Sequence, residues 1–255
     1  MRETKVLVIG ATALACGLAL RLGADCTVAD SGWSAGAEFA DAMVAEPIDP
    51  GKNRPPRTAE LVEELWERNI LSRTGGVHCP ALAGAFAKRF CEAGSRVLLG
   101  TRVLGIARRE NGFAVTLFLP REGRTELLAE RVIDTLPQDF MAYRKTFSLM
   151  LADGIPDVGA DGSPRLRRGR FADESVLTFD VPRACTLPGA EKIADAWLTE
   201  NRARLGNAHV ASPALAFGYR FDAVTDTERD GVRYVPSASY PDAVSAFEGG
   251  ETLCL

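Results

Sequence analysis

The feature that most constrains this chain is Lys5–Ile9, reading KVLVI, which closes at Gly10 and passes almost at once into the Ala- and Leu-rich segment Ala13–Leu22. An apolar, partly β-branched run without polar alternation suits a strand buried on both faces, as in a parallel sheet. The following segment suits a helix packed on that sheet, with Gly23 as its stop. Cys26–Ala29 then reads as a second strand that finishes in Asp30. Strand, helix and strand in quick succession make a βαβ unit, whose crossover is expected to be right-handed. At 255 residues, 46% apolar and 25% charged, the chain can bury a core around it as one large domain or two unequal ones.

The polar start Met1–Lys5 and the apolar stretch Val6–Leu20 also have the outline of a secretory leader, with Ala13-Leu14-Ala15-Cys16 faintly like a lipoprotein cleavage box. Glu3, the interrupting Gly10 and Gly17, and the strand that follows weigh against that reading. Arg21 also comes too soon for a membrane span.

Beyond Asp30, glycines and prolines break all periodicity from Ser31 to Arg57, a long loop of the functional rather than the linking kind. Thr58 is expected to cap a helix with Leu61, Val62, Leu65, Trp66 and Ile70 on one face, and Gly75-Gly76 to end that unit. A further helix starts at Cys79-Pro80 and carries Leu82, Phe86 and Phe90. After a short strand at Arg96–Leu99, the segments Thr101–Arg108, Phe113–Leu119 and Thr125–Asp134 read as an antiparallel meander around the turns Glu110-Asn111-Gly112 and Glu122-Gly123-Arg124. Past Pro137, strands are expected at Lys145–Leu151, Ser175–Val181 and Ala214–Phe221, and helices at Ala190–Leu205 and Pro241–Glu248 before Gly249-Gly250.

A glycine at the end of the first strand permits a tight turn, and the helix beyond it offers unpaired N–H groups to an anion such as a diphosphate. The spacing G-x-G-x-x-G is met here by Gly10, Thr12 and Ala15. Alanine serves at the third position, whereas Thr12 puts a side chain where a diphosphate would approach the backbone, with its hydroxyl as a substitute donor or as a sign that the site has lost its ligand. Asp30 stands where a carboxylate accepts hydrogen bonds from ribose hydroxyls, or else caps the following turn.

The order of glycine turn, acid-ended strand, long loop, helix opening His78-Cys79-Pro80, strand Arg96–Val103, meander and returning strand Val132-Ile133-Asp134 resembles the FAD-dependent oxidoreductases of glutathione-reductase-like fold over residues 4 to 137. The resemblance implies an α/β architecture: a Rossmann-like FAD/NAD(P)-binding domain, 1–137, with an inserted antiparallel β-meander, then a smaller α+β substrate-type region, 138–235. A C-terminal helix and tail, 236–255, would return towards the first domain. It implies FAD against Gly10, Ala11, Thr12, Ala13 and Ala15 at the turn, Asp30 and Ser31 after the second strand, and the backbone of Val103 at the adenine. The chain departs from the pattern at Thr12, at Asp30 in place of the commoner glutamate, and at Thr135-Leu136-Pro137, which lacks a glycine to let the returning strand pass the flavin. It also lacks an obvious C-terminal Gly-Asp segment.

No catalytic constellation emerges. His78 and Cys79 share a helix start but point apart, which favours a packed cysteine and a surface histidine. Glu63-Glu64 and Asp173-Glu174 read as solvated faces. The basic run Pro164–Arg170 reads as a solvated loop, or less readily as a contact for an anionic substrate group. Two histidines and six cysteines without C-x-x-C spacing argue against a metal site and for a reducing, cytoplasmic setting. A net charge of −4 offers no footprint for nucleic acid, and a small molecule is the expected partner. Three readings follow: an FAD-dependent oxidoreductase, a non-catalytic relative that has lost FAD, and an NAD-binding oxidoreductase, the last disfavoured by the meander.

Overall fold

Strand β1 (Arg2–Ile9) lies between two parallel neighbours, which explains its unbroken apolar run. Val6 and Val8 face a helical layer, while Leu7 and Ile9 face the meander, so neither side meets water. The computed structural model of the chain describes residues 2–158 and 162–255. In chain order β1 is followed by α1 (Ala13–Leu22), β2 (Cys26–Ala29), α2 (Pro56–Glu67), α3 (Cys79–Glu92), β3 (Arg96–Leu98), β4 (Arg102–Arg109), β5 (Gly112–Leu119) and β6 (Gly123–Asp134). Then come β7 (Arg144–Ala152), β8 (Arg165–Arg168), β9 (Ser175–Val181), α4 (Leu187–Glu200), α5 (Arg202–Leu205), β10 (His209–Pro213), β11 (Gly218–Arg220), β12 (Thr227–Arg229), β13 (Val232–Tyr234) and α6 (Ala243–Thr252).

The first sheet runs β12-β13-β6-β1-β2-β3, with β4 and β5 attached antiparallel to the outer part of β6. The second runs β10-β7-β9-β8, with β11 also on β7. Helix α4 covers it through Ala190, Ala194 and Trp197, whose ring meets Phe179 edge-on at 5.8 Å. This is the α/β architecture expected, a parallel sheet with an inserted meander and an α+β region. The apolar run at the N-terminus forms β1 and α1 in the buried centre rather than a detached leader segment. No described helix is long and apolar enough to cross a membrane.

Several expectations need correction. Helix α2 begins at Pro56, not at a Thr58 cap; Thr58 lies inside it and gives its N–H and hydroxyl to the Glu251 carboxylate, at 3.0 and 2.7 Å. The segment expected as one helix, 190–205, breaks at Asn201, whose side-chain amide bonds back to the Trp197 carbonyl at 2.9 Å. Of the strand expected over 214–221 only Gly218–Arg220 forms, as β11, while β10 ends before it at Pro213; between them Leu215 leaves the sheet, its N–H donating to the Asp41 carbonyl at 2.8 Å. The basic run is not a loop: Arg165–Arg168 is β8, paired antiparallel with β9.

The C-terminus holds the largest surprise. Strand β13, unanticipated from the sequence, pairs in parallel with β6 at Arg233↔Ile133 and Tyr234↔Asp134. It delivers Ser237–Ser239 and α6 to the start of α1. Helix α6 runs straight through Gly249-Gly250, since a Cβ at Gly250 would overlap the Leu14 carbonyl, and one at Gly17 the Phe247 carbonyl. Each glycine weakens its helix by about 1 kcal/mol relative to alanine. Here that loss permits backbone-to-backbone packing of α1 on α6.

Candidate functional site

The carboxyl ends of the parallel strands, where ligands of open α/β sheets bind, converge on the turn Gly10-Ala11-Thr12. Gly10 has φ +97°, and a Cβ there would lie 2.7 Å from Thr135 Oγ1, so glycine is required twice over. Its N–H donates to the Ala29 carbonyl at 2.9 Å. Thr12 caps α1: its Oγ1 accepts from the Ala15 N–H at 3.1 Å and donates to Thr135 Oγ1 at 2.9 Å, and Thr135 in turn donates to the Ile9 carbonyl at 2.8 Å. The threonines at the two departures from the glycine pattern thus bind one another. Their hydroxyls hold β1 and β6 together where the returning strand ends.

Three further N–H groups about this turn are also engaged. Ala11 N–H reaches Asp30 Oδ2 at 2.6 Å, Ala13 N–H reaches Glu38 Oε1 at 2.8 Å, and Leu14 N–H reaches Ser237 Oγ at 3.2 Å. Ser237 Oγ donates to the same Glu38 oxygen at 2.6 Å. The carboxyl of Glu38, brought in by the long loop after β2, therefore occupies the place to which the helix dipole draws an anion. Burial pushes its pKa up to about 7, against the pull of the Ser237 and Ala13 hydrogen bonds, and the charge of Asp30 adds to the rise. Asp134, at the end of β6, is likewise pushed up to about 6 by burial, with hydrogen bonds from Leu136 N–H and Gln138 opposing and Asp30 assisting. Three carboxyls thus share this strand edge, and no periodicity or motif had marked Glu38 or Asp134 among them.

Asp30 caps the turn beyond β2, its Oδ1 accepting the Gly32 N–H at 2.6 Å. Ser31 is exposed beside it. Trp33, 74% exposed, lies against Gly100, whose N–H donates to the Gly32 carbonyl at 2.8 Å. Val103 follows at the start of β4, half-buried, next to a bulge in its pairing with β5. Asp30, Ser31 and Val103 thereby lie along the ends of β2 and β3, Asp30 joined to the packed turn through the Ala11 N–H, while Ala11, Thr12, Ala13 and Ala15 within the turn are at most 2% exposed.

Between the first-sheet loop 38–47, the second sheet and residues 238–241 lies a cavity of about 490 Å³. Glu38 borders it at one side, Phe39, Tyr219 and Tyr240 give it aromatic walls, and Arg165, Arg167 and Arg220 bring positive charge. Arg165 Nη1 bonds Asp180 Oδ1 at 3.1 Å, and Arg220 Nη1 lies 3.8 Å from the same oxygen. Arg167 Nε donates to Glu46 Oε2 at 2.8 Å. A wider concavity of about 790 Å³ at the opposite end of the first sheet is lined by surface groups such as Glu3, Lys5, Asp25 and Arg109, remote from the strand ends that converge on Gly10.

The remaining sequence candidates are structural. Cys79 is buried and its thiol is pushed up by burial, so it is an inert packed cysteine. His78 is no free surface histidine: Nδ1 lies 3.0 Å from Glu174 Oε2, which raises its pKa, and its ring meets Phe171 edge-on. Glu174 and Glu64 are themselves buried rather than solvated, the latter tying α2 to α3 through Lys88 and Arg89.

No family model matches the sequence, and no curated protein matches it. Solved structures do. The p-nitrophenol 4-monooxygenase PnpA of Pseudomonas putida DLL-E4 superposes with a TM-score of 0.61 at 13% identity, covering 98% of this chain and 77% of its own. The L-proline dehydrogenase of P. horikoshii gives 0.61 at 13%, covering 99% and 92%. The myxobacterial chondrochloren halogenase CndH, described as a new variant of FAD-dependent halogenases, gives 0.61 at 10%, covering 98% and 73%. The chain thus has the fold of FAD-dependent oxidoreductases along nearly its whole length, the C-terminal strand and helix included.

The fit of a flavin dinucleotide to this fold divides at the turn. The ends of β2 and β3 offer the Asp30 carboxylate, whose oxygens already accept from Ala11 and Gly32 N–H, beside the exposed Ser31 and Trp33, where an adenosine would lie. The α1 N-terminus offers donors suited to an anion, and the Glu38 carboxyl is the stand-in that proves their aim. With Glu38 in place, the diphosphate itself does not fit: its donors are bonded and its room is filled.

Proposed function

We propose that this chain is an oxidoreductase of the FAD-dependent class that admits the dinucleotide when Glu38 leaves the N-terminus of α1, and that binds a small-molecule substrate in the 490 Å³ cavity beside it. The observation that carries this reading is the carboxyl held by the Ala13 N–H and Ser237 hydroxyl, a replaceable anion at an anion-binding helix end. FAD, once bound, would supply the redox chemistry itself. The chain's own part is to hold and to exclude: Asp30 accepts from ribose hydroxyls, and the loop carrying Glu38 and Phe39 closes the cavity to water. Glu38, whose pKa is near 7 while it is buried at the helix start, holds that place until the dinucleotide enters. Six free cysteines support the cytoplasm as the place of action.

A second reading is that the chain is a non-catalytic relative. It is favoured by the Ala11, Ala13, Leu14 and Ala15 N–H groups, all satisfied from within the protein. Titration of FAD into wild type, Glu38→Ala and Thr12→Gly, followed by flavin fluorescence, separates the two. Binding that tightens in either variant, most in Glu38→Ala, supports the oxidoreductase. Absence of binding in all three proteins establishes the second reading.

A further inference from the structure

Arg165 is the most deeply placed charge of the cavity. Its residue is 7% exposed, yet it satisfies only one end of its guanidinium: Nη1 bonds Asp180, while Nη2 is buried with no hydrogen-bond partner among the described residues. Arg220, on β11 of the same sheet, repeats the pattern, for its Nη1 is buried and makes no hydrogen bond among the described residues, and its ion pair with Asp180 is long at 3.8 Å. A buried donor left unpaired costs about 1–3 kcal/mol, and more when charged. Two such donors, on residues that line one cavity and share Asp180 as their ion partner, mark a place that an acceptor is built to complete.

The charge balance defines that acceptor. Asp180 neutralises one of the two guanidiniums, Arg167 is paired with Glu46, and Asp222 with Arg144 at 3.3 Å. With Glu38, whose pKa is raised to about 7, holding its proton, one positive charge is left uncompensated among the described residues. A single negative charge on a planar group meets it, and two guanidinium nitrogens match two carboxylate oxygens. A phosphate dianion would overcompensate and would face the Glu46 and Asp222 carboxylates across the same space. Phe39, Tyr219, Phe221 and Tyr240 supply apolar wall for the rest of the molecule, and 490 Å³ is an ordinary size for a small-molecule site.

We propose that the cavity takes a small carboxylic acid with an apolar body, its carboxylate received by Arg165 Nη2 and Arg220 Nη1. The proposal rests on reading the cavity as the substrate site of an oxidoreductase, but the ion contact itself exists without flavin and is measured without it. The full chain is titrated with benzoate, with its neutral counterpart benzamide and with inorganic phosphate, by calorimetry and by tyrosine and tryptophan fluorescence. Wild type is compared with Arg165→Gln and with Arg220→Gln, the latter an outer residue whose loss leaves the Arg165–Asp180 pair intact. The expected result is that benzoate binds and benzamide does not, and that benzoate binding weakens about tenfold or more in each folded variant. The proposal is overturned if benzoate fails to bind wild type, if it binds Arg220→Gln as tightly as wild type, or if phosphate binds in preference to benzoate. A protein that binds benzoate through these arginines yet never binds FAD would keep this inference and sink the flavin reading; the reverse pattern would sink this inference alone.

Discussion

The two ends of the candidate site handle buried polar groups in opposite ways. At the start of α1, four backbone N–H groups, two threonine hydroxyls and one serine hydroxyl all find partners within the protein, and the central partner is an acid. Across the cavity, two buried guanidinium nitrogens find no hydrogen-bond partner among the described residues. A dinucleotide fold is usually described by its glycine turn, yet here the turn is the finished part and the second sheet is the unfinished one. Stability has been gathered where the family resemblance places a cofactor. The unmet bonding capacity lies where a substrate would go.

The largest expected effect tests whether the finished end depends on α6. Gly250→Val should destabilise the protein by about 3 kcal/mol or more, because a side chain would collide with the backbone of α1 rather than with a movable group. Denaturant melts check it, and a loss below about 1 kcal/mol would mean that the two helices can part freely. Next, Glu38→Ala should cost about 1–3 kcal/mol by stranding the Ala13 N–H and the Ser237 hydroxyl. If it is neutral, water already serves those donors and the turn is less closed than its burial indicates. Thr12→Val removes the cap on Ala15 and the bond to Thr135 at nearly constant volume, for about 1 kcal/mol in the same melts.

A subtler signature is the pH dependence of stability. Glu38 has a folded pKa raised from 4.5 to about 7, so the folded protein holds a proton that the unfolded chain has lost. Its contribution is therefore fully present below pH 4.5 and disappears as pH rises through 7. His78, raised above 6.5 by Glu174, contributes in the same direction, its stabilisation being present below 6.5 and lost as pH climbs through the raised value. Melting temperatures of Glu38→Gln against wild type should thus show a shallower decline between pH 4.5 and 7, the remaining part belonging to Asp134, raised from 3.8 to about 6, and the portion at higher pH to His78. An unchanged profile would place Glu38 in water. The smallest loss is expected on the unfinished side: Arg220→Gln removes one long ion pair together with a buried donor that has no hydrogen-bond partner among the described residues, so stability should hold or rise slightly. A large loss there would show that Arg220 is a structural strut and would erase the contrast.

Local pattern determined much of this protein. The run KVLVI could bury two faces only in a parallel sheet, ALACGLALRL could only be a helix lying on it, and the turns at Asn111-Gly112 and Gly123 set the meander, because these signals act between residues near in sequence. Gly10 was legible for the same reason, since its positive φ is a local demand of the turn. The tertiary structure alone decided the rest. Glu38 is an unremarkable loop glutamate until Ser237, 199 residues away, comes to share its oxygen. The short strand β13 is too brief to announce itself and is fixed by β6; Gly249-Gly250 reads as a helix stop until α1 requires close approach there. Arg165–Arg168 reads as solvated charge, although Leu166 between two arginines already carries strand alternation. Pairing with β9 turned Arg165 inward, and Asp180 met half of its hydrogen-bonding capacity. Desolvation and partnership of charged groups are properties of what surrounds them, and those surroundings are assembled from distant parts of the chain.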